Sequence, residues 1–158
     1  MERKKYLVVT AGGSGTRMGS DLPKQFLELG GRAVLQRTIE QFLEACPGIK
    51  VVTVLPEAHM AWWRQYCRDR NFNCPQRLVP GGFTRFHSVQ GALAFVPDGA
   101  VVAVHDGVRP LLSPALIREM FHRMDSVRAL IPVVPAVDKR AVPAKEGDGG
   151  LGGCVGEV

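Results

Sequence analysis

Four short stretches of the chain are almost continuously apolar and rich in β-branched residues: 7–10, 51–55, 101–104 and 129–134. A half-buried strand alternates apolar and polar positions. An unbroken apolar run of this length suits a strand covered on both faces, as in a parallel sheet. Pro132 in the fourth run suits a sheet edge or a strand end. A further short strand is expected just before Pro80. Helical patterns separate the runs. In 34–45, Leu35, Ile39 and Phe42 recur at i, i+4 and i+7. The window 57–70 carries Trp62, Trp63 and Tyr66, and 84–95 carries Phe86, Val89 and Leu93. Residues 114–124 follow Ser113-Pro114, a helix cap and a first-turn proline. Strands alternating with helices predict a three-layer α/β domain. Ligands of such sheets sit beyond the carboxyl ends of the strands, so the loops after the strands are where chemistry is expected.

The pattern stops near residue 139. Residues 140–158 contain six glycines and no apolar period, which reads as a tail rather than a folded unit. Residues 1–139 are therefore expected to form the one domain. The full 158 residues are 46% apolar and 22% charged, which excludes a disordered or coiled-coil chain. The net charge of +5 is uneven: residues 1–79 hold twelve basic and seven acidic side chains, and residues 80–158 hold eight of each. An excess of this size suits an anionic small molecule and does not call for nucleic acid. Trp62, Trp63 and Tyr66 could form a base-stacking platform, but at helical spacing they read as a packing face. Cys46, Cys67, Cys74 and Cys154 form no CxxC pair, so they read as ordinary thiols rather than zinc or redox sites. The chain shows no secretory leader and no run near the roughly 20 apolar residues of a membrane span. A reducing cytoplasmic setting and no membrane partner are the expectation.

The first strand runs directly into Thr10-Ala11-Gly12-Gly13-Ser14-Gly15-Thr16-Arg17-Met18, and Leu22-Pro23-Lys24-Gln25 follows. Glycines let backbone N–H groups converge on an anion. Met18 stands where a dinucleotide fingerprint needs its third glycine, which argues against a Rossmann oxidoreductase. The loop also lacks the Gly-Lys-Ser/Thr of a Walker A sequence. Two cations just after such a loop suit a polyphosphate: Arg17 can bind it bidentately, and Lys24 can act as a mobile point charge.

Two more segments narrow the reading. Pro80-Gly81-Gly82-Phe83-Thr84-Arg85-Phe86-His87-Ser88-Val89 opens a helix, and Val104-His105-Asp106-Gly107-Val108-Arg109-Pro110 ends the third strand. With the glycine loop, Arg17 and Pro23-Lys24, these segments resemble the nucleotidyltransferase superfamily. Within it they look like the 2-C-methyl-D-erythritol 4-phosphate cytidylyltransferases of non-mevalonate isoprenoid synthesis, over residues 6–138. The resemblance implies a Rossmann-like nucleotidyltransferase fold with a mostly parallel sheet. It also implies transfer of the cytidylyl group of CTP to methylerythritol phosphate with release of pyrophosphate.

The same resemblance implies roles residue by residue. Arg17 and Lys24 match the family's catalytic cations. Ala11, Gly12, Gly13 and Gly15 match the loop that wraps the nucleotide, with Gly12 where the family usually has alanine. Gly81, Gly82, Arg85 and Ser88 match the cytosine-recognition segment, where the Ser88 hydroxyl can bond base or ribose. Asp106 matches the Mg²⁺ ligand. From the residues alone, Asp106 could equally cap a helix or pair with Arg109. Arg109 is expected to fix its loop or touch the acceptor phosphate, and His105 to satisfy a local hydrogen bond. The family continues beyond Asp138 with a Thr, a Lys and a β-arm that makes it a homodimer. Here Lys139 follows directly and the Gly-rich tail takes over. Ribitol-5-phosphate cytidylyltransferases look alike over the same segments, so that acceptor is an alternative. A remnant that binds CTP without turnover is another.

Overall fold

A computed structural model of the chain describes residues 3–13 and 22–134. β1 (Lys5–Thr10) leads to a short 3-10 turn at Lys24–Phe26 and to a small hairpin of β2 (Glu28–Leu29) and β3 (Arg32–Ala33). Then come α1 (Val34–Ala45), β4 (Lys50–Leu55), α2 (Glu57–Asp69), β5 (Gln76–Pro80), α3 (Arg85–Leu93), β6 (Val101–Asp106) and α4 (Pro114–Arg123). β5, β4, β1 and β6 form one parallel sheet in that order.

Three of the four continuous apolar runs form strands of this sheet, and the third, β6, lies at its edge with Val104 40% exposed rather than covered on both faces. Leu7, Val8 and Val9 are all fully buried because β1 is central and covered on both faces. Leu7 and Val9 face a large core shared with Ile39 of α1, Trp63 of α2, and Ile117 and Phe121 of α4. Val8 faces the other layer with Val52, Val54, Val79 and Ala92 of α3. The three-layer expectation therefore holds, with α3 alone on its face among the described helices. Thr84 and Ser113 cap α3 and α4 by accepting the His87 and Leu116 N–H groups at 3.2 Å each. The aromatic face of α2 also packs as expected. Trp63 is fully buried and stacks on Tyr66, while Trp62 lies over Phe26 at the surface.

One expected element is absent. Residues 129–134 form no strand, and Ile131 and Val134 are 79% and 86% exposed. A strand needs a neighbour for its N–H and C=O groups, and no described strand pairs with these residues or with the outer edge of β6. Pro132 further removes a donor. One element was not foreseen. Gly30 and Gly31, both at positive φ, close the two-residue turn of the β2–β3 hairpin, a signal legible in the Gly-Gly pair itself.

Candidate functional site

A parallel sheet brings all of its strand carboxyl ends to one side. Thr10 is level with Val54 and Asp106, and Leu55 with Pro80. Each departing loop is tied to a neighbouring strand by one more backbone bond: Ala11 N to Val54 O at 2.9 Å, Gly107 N to Thr10 O at 2.8 Å, and Gly81 N to Leu55 O at 2.8 Å. The loops thus leave the sheet in fixed directions and surround a cavity of about 400 Å³. Ala11, Gly12, Gly13, Lys24, Gly82, Arg85, Ser88 and Asp106 line it together, residues up to 95 positions apart in sequence. Gly81 and Arg109 support the lining without forming it. Gly15 and Arg17 lie outside the described residues. A second cavity, of about 370 Å³ along the outer edge of β6, is walled by Phe42, Leu112, Ile117 and Phe121 and holds neither a glycine loop nor a carboxylate.

Lys24 reaches the cavity because its neighbours are anchored. In the 3-10 turn Phe26 is buried against Trp62 and Trp63. Gln25 is only 2% exposed and donates from Nε2 to Ala11 O at 2.8 Å and Gly13 O at 3.3 Å. Those bonds lock the Lys24 turn to the glycine loop and leave Lys24 itself exposed beside it.

Asp106 lies at the end of β6, and both of its carboxylate oxygens accept hydrogen bonds. Oδ1 accepts from Arg85 Nε at 3.2 Å and Thr10 Oγ1 at 3.3 Å, and Oδ2 from Arg109 Nε at 3.0 Å. Burial pushes this carboxyl up. The hydrogen bonds and charges of Arg85 and Arg109 outweigh burial and hold it below the usual carboxylate range. The ion pair expected as one reading of Asp106 is thus present, with Arg85 as a second partner. Arg109 fixes its own loop, and His105 makes the expected local bond, from Nε2 to Arg109 O at 3.0 Å.

Ser88 has a structural role that the sequence did not suggest. It is buried, and its Oγ accepts the Gly82 N–H at 3.0 Å, so it shapes the loop as well as facing the cavity. Gly82 is there for space. A Cβ on it would lie 2.5 Å from His87 Cβ and 3.0 Å from the His87 carbonyl carbon, whereas one on Gly81 would meet nothing closer than 3.7 Å. Gly82→Ala is therefore expected to displace the start of α3 and destabilise the fold by about 1–3 kcal/mol, the scale of an overpacked site. Gly81→Ala should leave stability nearly unchanged. Thermal melts of the two variants check this; equal behaviour would overturn it.

Three residues of the site carry no sequence signal of their own. Gln25 sits in the Pro-Lys-Gln run, but nothing there shows that its amide is buried. Thr10 reads simply as a strand residue. Gly107 gives Asp106 a close approach to β1: a Cβ on it would lie 2.8 Å from Leu35 Cδ1 and 3.1 Å from Ala11 Cβ. Burial pushes the Cys67 and Cys74 thiols up to about 11, which keeps them protonated at neutral pH, and neither lines the cavity.

A parallel α/β sheet with a glycine loop after β1, and a lysine and an aspartate converging on it, is the arrangement of the nucleotidyltransferase fold. Solved structures share the fold. The 4-diphosphocytidyl-2C-methyl-D-erythritol synthase of Anaerococcus prevotii superposes with a TM-score of 0.64 at 24% identity, over 78% of this chain and 52% of that one. The bifunctional IspDF of Campylobacter jejuni superposes with a TM-score of 0.65 at 24% identity, over 77% of this chain and 31% of that one.

The family model for 2-C-methyl-D-erythritol 4-phosphate cytidylyltransferase matches residues 6–148, and the chain belongs to that family. Relatives bearing that name are 45% identical in Porphyromonas gingivalis, over 94% of this chain and 66% of the relative. In Bacteroides thetaiotaomicron the figures are 42%, 85% and 62%. The chain thus spans somewhat under two thirds of the length of these relatives.

Proposed function

We propose that the protein transfers the cytidylyl group of CTP to 2-C-methyl-D-erythritol 4-phosphate. An oxygen of the acceptor phosphate attacks the α-phosphorus of CTP, the bond to the β-phosphate oxygen breaks, and pyrophosphate leaves. Both reactants are anionic, so the protein's task is to position them and offset their charge. One observation carries the reading: the glycine loop, Lys24 and Asp106 meet in one cavity at the carboxyl end of the sheet, in a chain whose family match covers residues 6–148.

Lys24, with Arg17, would neutralise the triphosphate and the charge that grows on the leaving pyrophosphate. The Gly82 loop, held by Ser88, would receive the cytosine, and the hydroxyl proton of Ser88 has no acceptor among the described residues. Arg85 and Arg109 stand where they could turn from Asp106 to phosphate oxygens. Asp106 is a hard oxygen donor facing the cavity, and no cluster of three or more His, Cys, Asp or Glu side chains exists among the described residues. That fits Mg²⁺, which binds through one or two carboxylates and otherwise through water and substrate phosphates. Bound there, the ion would offset phosphate charge and hold the triphosphate. The family resemblance adds a homodimer where a β-arm follows the domain; no helix among the described residues is long and apolar enough to cross a membrane.

Pyrophosphate release should require CTP, methylerythritol phosphate and Mg²⁺ together. Release with ribitol 5-phosphate in place of methylerythritol phosphate would move the reading to that acceptor. CTP binding without any release would reduce it to a nucleotide-binding domain.

A further inference from the structure

Phe83 is the largest apolar side chain on the wall of the cavity, and it is fully exposed. No aromatic ring among the described residues packs on it. Its backbone is nevertheless held on both sides. Gly82 before it is bonded through its N–H to Ser88, and Thr84 after it caps α3. A rigid mount that presents an unburied phenyl ring leaves unused the burial that normally makes phenylalanine favourable. Val108, 44% exposed, is the other exposed large apolar side chain of the lining, which otherwise consists of glycine, alanine and polar residues. The phosphate-binding chemistry lies in the glycine loop and Lys24, so the apolar pair marks where a flat, uncharged part of the same ligand would lie.

We propose that Phe83 is the stacking platform for the nucleobase, with Val108 closing the slot. The inference rests on the nucleotide reading above and adds a residue to it. Every base has a π-face, so stacking adds affinity without choosing the base. Discrimination falls instead to the hydrogen-bonding groups around Gly82 and Ser88.

The test is calorimetric titration of the wild-type chain and of Phe83→Ala with CTP, UTP and inorganic tripolyphosphate. The alanine variant should lose about tenfold in affinity for CTP and for UTP alike, the scale of one base–aromatic stack. It should bind tripolyphosphate as the wild type does and melt at the wild-type temperature, because the side chain is buried by nothing. Phe83→Tyr should restore CTP binding. Unchanged CTP affinity in Phe83→Ala overturns the proposal alone, and so does an equal loss for tripolyphosphate, which would mark a disturbed loop. A wild-type chain that binds tripolyphosphate but gains nothing from the nucleoside also removes Phe83 from the site. A wild-type chain that binds none of the three overturns the nucleotide reading itself.

Discussion

Asp106→Asn is expected to lower pyrophosphate release by about 10²–10³-fold, the cost typical of removing one preorganised charge from a reacting centre. The same change should tighten metal-free binding of CTP. The two effects separate because of what surrounds the carboxylate. The single negative charge of Asp106 offsets one of the two positive charges of Arg85 and Arg109, at 3.2 and 3.0 Å. Asparagine keeps the shape but removes that negative charge, so the two guanidinium groups present one more unit of positive charge to the triphosphate. One unit charge at about 4 Å in water is worth about 1 kcal/mol, or roughly fivefold in affinity. Wild-type protein should gain affinity for CTP when Mg²⁺ is added, and the variant should not.

Titration of Asp106 does not blur the comparison. Its native carboxyl lies below the ordinary value of about 3.9, so it stays charged at neutral pH. The stability it contributes is present above about pH 4 and lost as pH falls further, through its native value. Release assays and titrations of CTP with and without Mg²⁺ measure both effects. Full turnover with unchanged dependence on Mg²⁺ would leave Asp106 as no more than a strand-end ion pair.

Lys24→Ala should reduce turnover by about 10²-fold or more with the melting temperature nearly unchanged. The stability half of this expectation follows from exposure: Gln25 and Phe26 hold the turn, and Lys24 adds no burial to it. The catalytic half follows from its place on the cavity wall beside the glycine loop. A charge that matters most as the pyrophosphate departs lowers kcat more than it raises KM. Lys24→Arg should recover only part of the loss, since a planar fork does not place its charge where a compact ammonium does. Steady-state kinetics and a thermal melt of each variant suffice. An alanine variant with full activity would return Lys24 to the solvated surface.

Much of the architecture was legible in local pattern because it rests on local physics. The unbroken apolar runs at 7–10, 51–55 and 101–104 are strands; the first two are covered on both faces as such runs suit, whereas the third lies at the sheet edge with Val104 40% exposed. Ser113-Pro114 starts α4 because a hydroxyl cap and a fixed φ act within one turn. The run at 129–134 shows where local pattern stops deciding structure. Its composition is as strand-like as the others, but strand formation depends on a neighbour, and a neighbour is not a property of the run.

By itself the sequence pointed to the fold class, the glycine loop, and Arg17 and Lys24 as cations suited to a polyphosphate; the family resemblance added Asp106 for a metal and Gly81, Gly82, Arg85 and Ser88 for a cytosine. The tertiary structure decided their relations. Parallel register sets Thr10 level with Asp106 and thereby fixes the carboxylate beside β1. Packing explains why Gly82 and Gly107 lack side chains, and buries Gln25 where it ties Lys24 to the glycine loop. Folding also pairs Asp106 with two arginines and leaves Phe83 bare at the mouth of the site. Sequence fixes which groups are available within a few residues of one another. Distances between groups far apart in the chain are set only when the sheet and its layers close, and the chemistry of this site is made of such distances.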